Sequence, residues 1–195
     1  MSKWRFGLAI ELANNIEEID FENFFTYVTI HELGHIVTLK ETQVDVNVGQ
    51  SECGTYFPGE GCARQNSYIN ELYDLGWSDI YNGEDGNEDL YDEYKDRFLT
   101  DYAATNPAED IAEVFAYFVT KAARPTGNSI ADQKVNLLYE FPELVQLREN
   151  MRENPTLRAM KPGSWTNNPL SKQFRIGNCQ HKHHAHHHEE KSAAH

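Results

Sequence analysis

With 195 residues, 39% hydrophobic and 25% charged, the chain is long enough to bury a core of its own and reads as a globular protein built on one domain. Its 17 basic against 31 acidic residues give a formal charge of −14, which argues against nucleic acid or an anionic membrane as the main partner. No apolar run approaches the length of a membrane span, and the short FGLAI run near the start is no signal-peptide core.

In chain order, WRFGLAIEL (residues 4–12) is rich in β-formers and reads as a strand. From NNIEEIDFENFF the spacing turns helical. The predicted helix continues through YVTIHELGHIVTL to about residue 39, with Phe24, Val28, Leu33, Ile36 and Val37 as its apolar stripe. Residues 40–67 are loop-like, punctuated by Gly49, Gly54, Pro58, Gly59 and Gly61. Inside them Cys53 and Cys62 enclose GTYFPGEG, which can close as a small disulfide ring or carry reduced thiols. The ring is the expectation, leaving Cys179 over. Of the two locations left open, cytoplasmic or exported by a signal upstream of this chain, the ring favours the second, a secreted or cell-surface protein.

Residues 67–77 read as a short helix ended by Gly76, and residues 78–94 as a strongly acidic stretch. Read as a calcium loop centred on Gly86, that stretch has Tyr81 and Gly83 where carboxylates are needed, so a solvated acidic loop is expected. Asn106 and Pro107 are a cap and a first helical residue, with Glu109 at the capping-box position, and the helix stops before Pro125. Two more helical segments, ADQKVNLLYEF and PELVQLRENMRE, meet at Pro142. Residues 1–153 thus form the expected domain. Residues 154–195 form a loosely packed tail ending in HKHHAHHHEEKSAAH, which reads as tag-like or as a weakly selective metal binder.

The chain has 9 histidines, and only His31 and His35 lie outside that tail. They stand in HELGH on the predicted helix. Four residues apart, they lie one turn apart on one face and can present both imidazoles to one zinc ion. Glu32 is rotated about 100° away, beside the metal but off the ligand axis, where a general base for a water would stand. A catalytic zinc takes a third protein ligand. With no third internal histidine, the candidates include Glu109 and Glu113, four apart in NPAEDIAEVF. Glu109 equally suits a helix cap. Glu113 sits among apolar residues, where a carboxylate is unfavourable without a partner.

TIHELGH followed by YAATNPAEDIAEVF resembles the gluzincin-type bacterial zinc metallopeptidases, the group of the anthrax lethal factor catalytic domain. GCA and SYIN, at residues 61–63 and 67–70, are similar to segments of secreted bacterial zinc peptidases. The resemblance spans roughly residues 25–120. It implies Glu109 as third zinc ligand, Glu113 as an outer partner of a ligating histidine, and Tyr102 as the phenol that stabilises the oxyanion. The helix position agrees, since Glu109 at the first turn lies at the positive end of the dipole. The chain departs from the family in the long separation of His35 from Glu109 and in the few residues before HELGH, too few for a full upper sheet.

The expectation is an α+β zincin-like fold, mostly helical with a small N-terminal sheet. It would hold one zinc per chain and hydrolyse a peptide or protein substrate with Glu32 as general base. The strand at residues 4–12 would pair with extended substrate. Two rivals are a non-catalytic zinc-binding domain used for recognition and a histidine-rich metal-binding protein.

Overall fold

The computed structural model describes residues 21–85 and 88–160. The strand expected at residues 4–12, and with it the N-terminal sheet, lies outside them, as do Cys179 and the histidine-rich tail.

The described residues are mixed α+β, about half helical with a small antiparallel sheet. Helix α1 is Phe21–Thr38, followed by β1 (Val44–Asp45), a 3₁₀ turn (Gln50–Glu52) and β2 (Cys62–Ala63). Helices α2 (Tyr68–Gly76), α3 (Glu88–Glu93), α4 (Pro107–Thr120), α5 (Ile130–Leu138), α6 (Pro142–Met151) and α7 (Pro155–Ala159) complete the order. β1 and β2 pair antiparallel, Val44 opposite Ala63 and Asp45 opposite Cys62.

Helix α4 is the centre. Apart from Ala108 and Tyr117, its residues are buried, as expected of a helix with apolar side chains all round. Its start is built as the sequence proposes: Pro107 opens the helix and the Asn106 side chain accepts from the amides of Ala108 and Glu109, both at 3.0 Å. Its last carbonyls are taken by α6. Arg148 donates to Phe118 O at 2.7 Å and Arg152 to Val119 O at 2.8 Å, so both ends are satisfied without water.

Helix α1 packs along α4, and α2, α5 and α6 cover other sides of α4. The buried face of α1 matches the expected stripe only at Val28, which is buried. Tyr27, His31, Gly34 and Thr38 are buried, whereas Leu33, Ile36 and Val37 are only half-buried. Spacing by apolar residues alone misplaces this face, because two of its members are polar and hold partners inside. Gly34 is where the two helices meet most closely: a Cβ there would stand 3.1 Å from Ala112 Cα and 3.2 Å from Phe115 Cβ.

A second buried polar cluster joins three helices. Lys134 of α5 and Asp110 of α4, both fully buried, form an ion pair at 2.6 Å. Trp77, just after α2, donates its Nε1–H to the same Asp110 oxygen at 2.7 Å, and Lys134 also donates to Arg97 O at 2.9 Å. Burial raises the Asp110 pKa and lowers that of Lys134; their mutual attraction works against both shifts.

Between α1 and α2, Cys53 and Cys62 are joined as a disulfide with Cα atoms 5.3 Å apart, the ring rather than the free thiols. Cys62 opens β2, and the residue before it, Gly61, has φ +152° with a Cβ position 2.5 Å from Asp45 O, so only glycine allows the two short strands to approach.

Two expectations are corrected here. The acidic stretch contains the short helix α3 rather than loop throughout. The packed region also extends past residue 153: Asn154 and Pro155 start α7, and Leu157 and Met160 are buried in the core.

Candidate metal centre

His31 and His35 sit on α1 where it faces the first two turns of α4. The four-residue spacing puts both rings on one side of the helix, edge to face with centroids 4.9 Å apart. From α4, Glu109 projects at the first turn and Glu113 one turn deeper. His31, His35 and Glu109 form a group that can hold a metal ion. His31 Nε2 is 3.2 Å from His35 Nε2 and 3.1 Å from Glu109 Oε2, and His35 Nε2 is 3.3 Å from that same oxygen.

Glu113 faces the other side of the His31 ring, its Oε1 at 2.8 Å from Nδ1. The two carboxylates that spacing alone leaves equivalent are thus separated by the structure, Glu109 on the shared Nε2 side and Glu113 on the outer nitrogen. Glu109 does not fold back as a capping-box residue; its carboxylate is spent on the histidines.

His31 is 1% exposed. Burial by itself would lower its pKa, but hydrogen bonds and charge from Glu109 and Glu113 together outweigh this and push it up to about 10. Burial works in the opposite sense on Glu109, and the hydrogen bonds and charge of both histidines hold its carboxyl well below the usual range.

Glu32 is half-buried and takes no part in this bonded set, consistent with its rotation off the ligand face. Tyr102, on the segment leading into α4, lies with its ring centroid 5.7 Å from that of His31. The sequence-derived residues His31, His35, Glu109, Glu113 and Tyr102 therefore converge on one place. Cys53 and Cys62 belong to the separate disulfide loop.

Two residues escaped the sequence reading. Thr100 donates its hydroxyl to Glu113 Oε2 at 2.8 Å. Tyr27 also bonds Glu113, and burial together with that carboxylate pushes its phenol pKa well above the ordinary value, so it keeps the proton it donates. The signal for Tyr27 was its place four residues before His31, on the same helical face. Thr100 carried none.

Comparison with protein-family models, with curated proteins and with solved structures finds no match in any of the three. The functional reading accordingly rests on these residues. Among the described residues no helix is long and apolar enough to cross a membrane.

Proposed function

We propose that this protein is a zinc-dependent endopeptidase of gluzincin type, with one zinc held by His31, His35 and Glu109. The observation that carries the reading is the size of the ligand triangle. Four ligands placed tetrahedrally about 2.0–2.1 Å from zinc lie about 3.3–3.4 Å apart. The three edges here are 3.1, 3.2 and 3.3 Å. Two imidazoles and one carboxylate suit zinc, and three protein ligands leave a position open.

Zinc bound there would supply a Lewis acid and lower the pKa of a coordinated water toward neutrality. Glu32, one position beyond His31 and outside the ligand set, takes the proton of the attacking water and passes it to the leaving amine. Tyr102 offers a phenolic donor for the oxyanion that develops on the peptide carbonyl. Glu113 holds the proton of His31 Nδ1, so that Nε2 presents a lone pair. A secreted or cell-surface location is part of the proposal, and the disulfide is compatible with it.

Glu32→Gln tests the reading. It is expected to leave one zinc per chain while lowering hydrolysis of a diverse peptide library by about 10²–10⁴-fold. Zinc binding by the unaltered chain with no hydrolysis of any library member would favour a recognition domain instead.

A further inference from the structure

Glu113 is held by three groups from two places in the chain, helix α1 and the segment leading into α4. Its Oε1 accepts from His31 Nδ1 on α1 and its Oε2 from the Thr100 hydroxyl, each at 2.8 Å. The Tyr27 phenol, one turn before His31, bonds the same carboxylate. The direction of the Thr100 hydroxyl is fixed, because its oxygen accepts the Ala103 N–H at 3.0 Å and its proton is left for Glu113. Tyr27 is 4% and Glu113 3% exposed, so bulk water does not replace the phenol, while Thr100 is half-buried.

We propose that Tyr27 and Thr100 are positioning residues which, acting through Glu113, hold the His31 ring in the orientation and tautomer that turn a bare Nε2 toward the metal. The proposal rests on reading His31, His35 and Glu109 as a metal centre. A carboxylate gripped on both oxygens cannot swing toward the ligand triangle 3.1 Å across at its His31–Glu109 edge. It stays an acceptor for Nδ1–H, and the proton fixed on that nitrogen leaves the other to ligate. Thr100 also precedes Tyr102 by two residues, so the same hydroxyl ties the segment carrying that phenol to α4. Polar groups that merely fill a buried space would change stability alone. Positioning groups change metal affinity, and only while Glu113 is present.

The test is zinc affinity of the full chain, measured by competition with a chromogenic chelator. A His31→Ala/His35→Ala chain supplies the background from the tail histidines. Tyr27→Phe and Thr100→Val are each expected to weaken binding by about 10-fold or more, the range for groups just outside a metal's ligands. Thr100→Ser is expected to restore the unaltered affinity. In a Glu113→Gln background neither substitution should weaken binding further. Unaltered affinity in both variants, or losses as large in the Glu113→Gln background, would overturn the positioning role while leaving the metal centre standing. Binding by the unaltered chain no tighter than background would overturn the metal centre, and this inference with it.

Discussion

Replacing Lys134 by Met removes one half of a fully buried ion pair while keeping an unbranched stem of similar length. Asp110 then retains one donor, Trp77 Nε1 at 2.7 Å, on an oxygen that also held Lys134 at 2.6 Å. Its other oxygen has no partner among the described residues. An uncompensated buried charge of this kind destabilises by about 3–5 kcal/mol, and the Arg97 carbonyl loses its 2.9 Å donor as well. The expected loss at pH 7 is therefore about 3–5 kcal/mol, a large share of the ~5–15 kcal/mol typical of a domain.

The pH dependence follows in sign. Burial already raises the Asp110 pKa, and Lys134 is the main influence holding it down. Without Lys134 the folded-state pKa rises further. A raised folded pKa means the variant is least penalised at low pH, where Asp110 is protonated in both states. The penalty then grows as pH rises from the unfolded value toward the folded one and is complete above it. Urea unfolding followed by tryptophan fluorescence at pH 5 and pH 7 gives both numbers. Lys134→Met/Asp110→Asn keeps an acceptor for Trp77 without the stranded charge, and its loss should fall below about 2 kcal/mol. A loss under about 1 kcal/mol in Lys134→Met, or one equal at both pH values, would refute the reasoning.

Other expectations are briefer. Gly34→Val should destabilise by about 1–3 kcal/mol through overpacking, because even a Cβ stands 3.1 Å from Ala112 Cα; urea midpoints measure it, and zinc affinity should fall as α1 and α4 part. Cys53→Ser/Cys62→Ser should lose about 2–3 kcal/mol for a loop closed across 9 residues, and alkylation without reduction should leave both native cysteines unlabelled by mass spectrometry. In the metal-free protein, the raised His31 pKa contributes stability that is complete below 6.5 and lost as pH rises toward about 10. The depressed Glu109 pKa contributes stability present above 4.5 and lost as pH falls below it. Thermal unfolding of chelator-treated protein should show both declines, and zinc, which displaces the His31 proton, should reverse the alkaline one.

How much of this could be read from the chain differs by element. The start of helix α4 was legible because it is local chemistry: Asn106, Pro107 and the turn that follows need no tertiary knowledge, whereas the helix ends at Thr120, short of the stop expected before Pro125. HELGH was legible for the same reason, since a four-residue spacing on a helix fixes which side chains share a face. The choice between Glu109 and Glu113 was not fixed by spacing. It depends on how deeply α4 slides along α1, and that register is set by the close approach at Gly34. Helix α7 was not legible although Asn154 and Pro155 carry the same cap signal as α4, because its five residues are too few to show a helical period. The Asp110–Lys134–Trp77 cluster was out of reach, as its members stand 33 and 24 positions apart along the chain and meet only through packing.

The central claim is that His31, His35 and Glu109, and not Glu113, hold the metal. Zinc titration by native mass spectrometry with chelator competition tests it directly on the unaltered chain, Glu109→Ala and Glu113→Ala. The expected result is one tight zinc in the unaltered chain, none in Glu109→Ala, and one zinc held about 10–100-fold more weakly in Glu113→Ala. Tight zinc retained by Glu109→Ala and lost by Glu113→Ala would contradict the claim, as would tight zinc that survives replacement of both His31 and His35.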